Sequence, residues 1–335
     1  MKFSEKKYDT KFIIPERVVL YDNCINAHIL LAEKPRQVIP YDRESIVIEK
    51  NGFVVIDFGT ELHGGLIITV NYAEENSSLH IVFGESVSEA MSTLGEKNSG
   101  NNHSMRDMTV KALGSQTFRT NSTGFRFAKI EAKGSVVMLG TVQAFLEMRD
   151  LEYRGSFECS DELLNRIWRI GAYTVHLNMQ EYLWDGIKRD RLVWIGDMHP
   201  EISTISKVFG NVDIVNNSLD LIRDSAPVGS WMNGIPSYTL WWIVIQLDWY
   251  MYTGDRQYLN EQKEYLFDVV KYILKLVNSD GTHRFDDTFV EWSSYQTREE
   301  AAGFQAMLAV GLNAAARLCI VLDNRELYER CIKLR

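Results

Sequence analysis

The densest concentration of chemically capable side chains in this 335-residue sequence is the segment WDGIKRDRLVWIGDMHPE at 184–201. It carries four carboxylates (Asp185, Asp190, Asp197, Glu201), three bases (Lys188, Arg189, Arg191), His199 and the indoles of Trp184 and Trp194. A solvated charge run is not normally interleaved with Trp184, Leu192, Val193, Trp194 and Ile195. Charges set beside bulky apolar groups are partly desolvated, which raises the pKa of a carboxyl toward general-acid duty, whereas Arg189 and Arg191 would hold neighbouring carboxylates ionised. Carboxyl groups driven apart in pKa by their surroundings are what glycosidic bond cleavage needs. The same residues suit a buried salt-bridge cluster that pins a loop, and spacing alone leaves both readings open.

Tryptophan supplies a second clue. Sugar rings have apolar C–H faces that stack on indole, while their hydroxyls bond to carboxylates and arginine. Trp231 in GSWMNGIPSY and Trp292 in VEWSSY fall on loop-like segments, where binding residues concentrate. Glu291 and Asp286 share the second of these loops and are further candidates. Trp241, Trp242 and Trp249 recur at helical spacing and read as core. His63, in the ELHGG turn, and His199 are possible polar contacts, although lone histidines are more often structural. The sequence has no P-loop, GxGxxG, GxSxG or HExxH pattern, and Asn76-Ser77-Ser78 matches a glycosylation acceptor by pattern only. Cys24, Cys159, Cys319 and Cys331 lack metal-ligand spacing and are expected to be free, buried thiols. Neither a metal nor a cofactor is expected.

These residues need elements to position them, and the chain offers two kinds. All eight tryptophans lie beyond position 150, and at roughly 150 residues per domain the length suggests two domains, 1–150 and 151–335. In the first, short apolar runs at 45–49, 53–58, 65–72, 78–83, 125–132, 135–139 and 141–148 alternate with polar or glycine-bearing turns, which predicts an antiparallel β-sandwich. The Ser-, Asn- and Gly-rich stretch 91–108 reads as a long loop within it. Past Gly155 the period changes to 3.6. Ser160 is an N-cap candidate ahead of the stripe Leu163, Leu164, Ile167, Trp168 and Ala172. Further helices are predicted near 200–208, 212–225, 238–253, 256–278, 297–321 and 324–334, with turns at 254–255 and 278–281 and longer loops near 182–198, 226–237 and 280–296. The natural arrangement is consecutive antiparallel helix pairs.

Composition limits the partners. With 36 basic against 45 acidic residues the formal charge is −9, and the bases are dispersed, which disfavours a nucleic-acid binder. The longest apolar stretch, 240–252, contains Gln246 and Asp248 and reads as a buried helix, so no membrane partner is expected. Residues 1–14 alternate charge and apolarity without a continuous hydrophobic core. The expected compartment is therefore the cytoplasm, or an extracytoplasmic one if a leader has been removed.

At 185–197 the sequence resembles the bacterial α-L-rhamnosidases of glycoside hydrolase family 78, members of the six-hairpin glycosidase group. The family pattern D-x-P-x-R-[D]-E-R-x-G-W-x-G-D is matched by Asp185, Arg189, Asp190, Arg191, Leu192, Trp194, Gly196 and Asp197. VVIDFGTELHGGLIITV (54–70), FGES (83–86), TGFRFAKIEA (123–132), RGSFECSDELLNRIW (154–168) and YMYTGDRQYL (250–259) resemble further family motifs in the same order. The resemblance implies an antiparallel β-sandwich followed by a segment of an (α/α)6 toroid, and inverting hydrolysis of terminal α-L-rhamnosides in rhamnose-containing oligosaccharides or glycosides. It makes Asp190 the general acid and places Asp185, Arg189, Trp194 and Asp197 among the residues that hold rhamnose. Trp292, preceded by Glu291, corresponds to the aromatic of a family D-W motif.

Two departures bear on this. Asp190 stands where the family normally has Glu, which shortens the acid by one methylene, roughly 1.5 Å. Gly186–Ile187 replaces the pattern's proline. Six hairpins also require twelve helices, whereas about seven are predicted, and no residue matches the downstream Glu that serves the family as base. The resemblance thus implies an N-terminal portion of the enzyme, with only part of the barrel. Alternatives from the same sequence are a glycosidase or lyase of the same barrel acting on another sugar, a non-catalytic carbohydrate-binding or structural fragment, and a purely structural ion-pair loop at 182–201.

Overall fold

A computed structural model of the chain describes residues 8–40, 42–97, 105–295 and 297–334. The chain forms two units, the first comprising Met1–Asp150, His176–Gln180 and Gly186–Arg191, the second Leu151–Val175, Glu181–Asp185 and Leu192–Arg335. Two short segments from beyond 150 therefore belong with the β unit, and one of them lies inside the acidic segment.

The β unit consists of β1 (Tyr8–Ile13), β2 (Arg17–Ile25), β3 (Ile46–Ala73), β4 (Ser78–Gly84), a short helix α1 (Val87–Met91), β5 (Asp107–Lys111), β6 (Gln116–Arg119), β7 (Thr123–Lys133) and β8 (Val137–Arg149). Its strands join in one eight-stranded antiparallel hydrogen-bonded network ordered β1-β8-β3-β7-β4-β5, with β2 and β6 also on β3. The three runs predicted at 45–49, 53–58 and 65–72 form one strand of 28 residues that bends rather than breaks. Asn51 and Gly59 take positive φ at the bends, and the register against β7 shifts between Asp57 and Leu62. Because of these bends Leu139 of β8 pairs with both Ile46 and Val70, so the two ends of β3 flank β8. The runs 135–139 and 141–148 likewise merge into β8. The predicted loop 91–108 begins at the end of α1, and its residues 98–104 lie outside the described residues.

The core of this unit is continuous. Ile46, Ile48, Val54, Ile56, Leu66, Ile68 and Val70 of β3 are buried, and Phe125 of β7 packs against Phe58 and Phe83 with ring centroids 5.6 and 4.6 Å apart. One charge lies at its edge. Asp57, only 1% exposed, receives Arg126 through two hydrogen bonds of 2.7 and 3.0 Å, Arg17 at 2.8 Å and the Gly59 amide at 2.8 Å. Burial alone would raise the Asp57 pKa, but the bonds from Arg126, Gly59 and Arg17 outweigh it and lower the value to about 2.

The helical unit holds α2 (Glu162–Asn178, whose last residues belong with the β unit), α3 (Met198–Val208), α4 (Asp213–Ser225), α5 (Pro236–Thr253), α6 (Arg256–Lys275), α7 (Arg298–Val321) and α8 (Arg325–Leu334). Helix α5 is apolar on nearly every side and packs against α3, α6 and α7. Pro236 opens it and Gly254, at φ 67°, ends it. Asp255 then caps α6 by accepting from the Tyr258 amide at 2.9 Å. Trp242 and Trp249 are buried, as their spacing predicts, and their indole N–H groups donate to Leu219 O and Asn216 Oδ1. Gly311 of α7 is needed for close packing, since a Cβ there would stand 3.0 Å from Leu240 of α5. Among the described residues α7 is the one helix long and apolar enough to cross a membrane, but more than half of that window is buried within the protein, as a core helix would be.

Three local expectations are corrected. Asp161, not Ser160, caps α2, its Oδ1 accepting the Leu163 amide at 2.8 Å. The apolar stripe of α2 is not core: Leu163, Leu164 and Ile167 are exposed and, of the stripe, only Ala172 is buried. Of the cysteines, Cys24, Cys319 and Cys331 are free and buried, while free Cys159 is half-buried.

Replacing Asp57 with Asn should destabilise the β unit by roughly 1–3 kcal/mol in urea unfolding at pH 7, because a buried acceptor of charged donors is lost. The depressed pKa gives the sign of the pH effect. The carboxylate's contribution is fully present above its unfolded value of about 3.9 and is lost as pH falls through about 2. The stability gap between wild type and Asp57→Asn should therefore narrow between about pH 4 and pH 2.

Candidate active site

Within the helical unit, two anchors hold the parts of the segment 184–201 that flank 186–191. Asp185 and Leu192 bond reciprocally: the Asp185 amide donates to Leu192 O at 3.0 Å and the Leu192 amide donates to Asp185 Oδ1 at 3.0 Å. Farther on, Val193 and Ile195 are buried, and the Asn233 side chain donates to Val193 O and accepts from the Ile195 amide, both at 3.0 Å. Asn233 does this from a left-handed conformation at φ 52°, which asparagine tolerates better than most residues. Trp194 then meets Tyr238 edge to face at 6.1 Å. Gly196 allows that approach, since a Cβ there would lie 2.3 Å from the tyrosine ring.

Three carboxyls, Asp185, Asp197 and Glu201, act on one another here, and two of them, Asp197 and Asp185, on Tyr238. Asp197 precedes α3 without using its side chain as a cap, and Glu201 follows one helical turn later, on the same face. Asp197 keeps access to solvent, yet burial and the charge of Asp185 raise its pKa. Glu201 is 9% exposed, its Oε2 has no hydrogen-bond partner among the described residues, and burial followed by the charges of Asp197 and Asp185 drives its pKa well above the usual carboxylate range. Burial, Asp197 and Asp185 also raise Tyr238. The desolvation predicted for this segment thus falls on Asp197 and Glu201. A carboxyl with a raised pKa, such as Glu201, keeps a proton to donate to higher pH than an ordinary one, and carboxyl oxygens also accept, a combination that suits polyhydroxylated ligands.

Residues Gly186–Arg191 belong to the β unit. Ile187 is buried over Gly124, where a Cβ would come within 2.8 Å of it. Arg191, at φ 55°, donates to Ile187 O at 3.1 Å and Ser122 O at 2.6 Å. Its guanidinium thus holds the backbone of the loop and of the residue before β7, and the charge of Glu147 also acts on it. Arg189 is exposed and stands 3.6 Å from Asp190, whose side chain is 24% exposed. Lys188 reaches Glu85 and Glu89, and the same neighbourhood includes Glu61, where burial and then the charge of Glu85 raise the pKa to about 8.

The other sequence candidates separate into groups. Trp292 is 80% exposed and lies in an aromatic series with Phe289, Tyr238 and Trp194, at successive centroid distances of 5.0, 6.4 and 6.1 Å. Its neighbour Glu291 is exposed and bonded by Ser293, which lowers its pKa. Trp231 packs instead with Tyr272 and Phe285, at 5.3 Å from each. His63 is buried against Glu147 O, and burial lowers its pKa. His199 pairs with Asp248 at 3.2 Å and lies beside half-buried Trp241. Among the described residues no group of three or more His, Cys, Asp or Glu side chains is arranged to hold a metal ion. Sequence reasoning passed over Tyr238, Asn233, Glu61, Glu85 and Glu89. The S-x-x-E pattern at 86–89 is a legible helix start, but nothing local links it to Lys188.

Residues 152–327 match the bacterial alpha-L-rhamnosidase six-hairpin glycosidase domain. An alpha-L-rhamnosidase of Formosa agariphila is 27% identical over 169 residues, covering 48% of this chain and 17% of that protein. The family 78 rhamnosidase of Bacillus sp. GL1 superposes with a TM-score of 0.73 at 20% identity, over 90% of this chain and 34% of its own. A Klebsiella oxytoca rhamnosidase with rhamnose bound gives 0.75 at 19% identity, over 97% and 69%. At these identities the structural likeness concerns the fold. The chain spans about a third of the Bacillus enzyme's length, and less of the Formosa one.

Replacing Glu201 with Gln tests the buried carboxyl. A raised folded pKa means that the folded state holds a proton the unfolded state has released, so wild-type stability falls as pH rises above about 4.5. The Gln variant should match wild type at pH 4 and become progressively more stable than it toward pH 8 in chemical denaturation. A constant difference across that range would refute a neutral Glu201.

Proposed function

Because the chain belongs to the bacterial alpha-L-rhamnosidase six-hairpin glycosidase family, we propose that it acts in the hydrolysis of terminal α-L-rhamnosides with inversion at the anomeric carbon. The fold proposed with it is a β-sandwich followed by the N-terminal part of an (α/α)6 barrel. The observation that carries the reading is the mutual influence of Asp185, Asp197 and Glu201, the first two of which also act on Tyr238, the ring that meets Trp194; Asp185, Trp194 and Asp197 all belong to the family pattern. Its relatives are named as rhamnosidases, and one of them has rhamnose bound.

In this reading Asp190 gives its proton to the glycosidic oxygen as the bond from that oxygen to the anomeric carbon breaks. A water attacks the anomeric carbon from the opposite face, and its proton passes to a carboxylate base. The proposal assigns that base to none of the residues named here. Asp185, Arg189 and Asp197 bond the rhamnose hydroxyls, and Trp194 covers the apolar face of the ring. Trp231, Glu291 and Trp292 make further contacts to the glycoside. One structural feature favours a second role for Asp185: its Oδ1 accepts the Leu192 amide, so the same carboxylate also closes the loop.

In the full-length protein Asp190→Asn should lower kcat on p-nitrophenyl α-L-rhamnoside by about 10²–10⁴-fold, the range for loss of a general acid. Rhamnose binding, measured by calorimetry, should stay within about twofold, since the uncharged isostere keeps the shape of the site. Unchanged turnover would exclude Asp190 as the acid. A panel of other nitrophenyl glycosides identifies the sugar.

A further inference from the structure

The ammonium of Lys188 is fastened to the β unit by two carboxylates. Its Nζ lies 2.9 and 3.2 Å from the two oxygens of Glu89 and 2.9 Å from Glu85. Glu89 is itself immobilised. It is 6% exposed, accepts the Glu85 amide at 2.8 Å and stands 3.7 Å from Arg106, which is wholly buried. Ser86 starts α1 by accepting from the Glu89 amide, which fixes the backbone from which this carboxylate projects. Ile187 is seated on Gly124 immediately before Lys188, and Arg191 is bonded to Ser122 O immediately after Asp190. The two residues between these fastenings are Arg189 and Asp190.

We propose that Lys188, gripped by Glu85 and Glu89, is a positioning residue for the Asp190 carboxyl, and that Glu85 and Glu89 are part of the same device. The proposal rests on the reading of Asp190 as the acid. Its physical reason is the shortened side chain. A donor must come within about 2.6–3.2 Å of the oxygen it protonates, and an acid one methylene shorter than the family's Glu has less reach with which to absorb an error in backbone position. A displacement of about 1 Å can cost on the order of 10²-fold in rate. A loop tethered on both sides of its acid supplies in backbone position what the side chain lacks in length. Removing the ammonium would leave the buried Glu89 facing the charge of Glu85 without its bridging cation, and the loop would part from α1.

The experiment compares Lys188→Met, Lys188→Arg and Glu85→Gln in the full-length protein. Hydrogen exchange across 186–192 is read by mass spectrometry, alongside kcat and KM on p-nitrophenyl α-L-rhamnoside. Lys188→Met should speed exchange in that segment about tenfold or more while leaving the sheet unchanged, and lower kcat by about 10–100-fold with KM within about threefold. Lys188→Arg, which still bridges two carboxylates, should recover most of both losses. Glu85→Gln retains Glu89 and should give a smaller change of the same kind, and it serves as the readout if Lys188→Met does not fold. Exchange and kcat unchanged in Lys188→Met, or a kcat loss with no loosening of the loop, overturns the proposal and leaves the acid assignment to Asp190→Asn. Turnover that survives Asp190→Asn overturns the acid assignment whatever Lys188→Met does.

Discussion

Two hydrogen bonds between Asp185 and Leu192 close the polypeptide on itself, so the six residues between them leave as a loop with fixed ends. Much of the arrangement depends on that closure. With the ends held, Ile187, Lys188 and Arg191 have a limited set of places to go, and their apolar, cationic and bidentate contacts are all made with the β unit. Past Leu192 the chain resumes in register with its second anchor, the Asn233 amide that bridges Val193 and Ile195. Trp194 and Asp197 are thereby presented by backbone that is hydrogen-bonded on both sides. Without the first closure, the side-chain fastenings of 186–191 would have to offset the entropy of a freely moving segment, at about 1–2 kcal/mol of backbone entropy per residue.

The two units manage buried negative charge differently. In the β unit, cations lie among the acids. Asp57 is held ionised by Arg126 and Arg17, and Lys188 lies between Glu85 and Glu89. Glu61, with less compensation, retains its proton up to about pH 8. In the helical unit, burial and mutual repulsion among Asp185, Asp197 and Glu201 set the balance, so Asp197 and Glu201 rise. A carboxyl fixed by a cation is a strut. Asp197 and Glu201, raised first by burial and then by their neighbours' charge, have no such cation among the described residues to fix them.

How much of this is legible in the sequence depends on the range of the forces involved. The helices from α3 to α8 appear within about two residues of their predicted ends, apart from the end of α6, because 3.6-residue periodicity and caps such as Gly254 and Asp255 act locally. The segment 184–201 announces itself through its mixture of charge and indole, and Trp242 and Trp249 through their spacing. Strands β1, β2, β5 and β6 do not, since much of β2 is solvent-facing and carries no clean alternation. The stripe on α2 shows the opposite failure. Leu163, Leu164 and Ile167 have the pattern of a buried face, yet pattern alone does not specify what covers it. Lys188 and Glu89, 99 residues apart, have no local signature at all. Only the fold brings them together.

That last pairing gives the β motifs a physical meaning which their spacing does not express. DFGTELHGG contributes Asp57, the anchor of Arg126, together with Glu61. TGFRF contributes Arg126 itself and Gly124, the floor beneath Ile187. FGES contributes Glu85 and the Ser86 that sets Glu89 in place. Three motifs separated by tens of residues thus converge on one small region of the β unit, and what they hold is the loop that carries Asp190. A substitution at Gly124 or Glu85 acts on that loop through a contact that can be named: a methyl group pressing on Ile187 in the first case, a missing partner for Lys188 in the second. In TGFRF and FGES, then, the β unit supplies named contacts to the loop that carries Asp190.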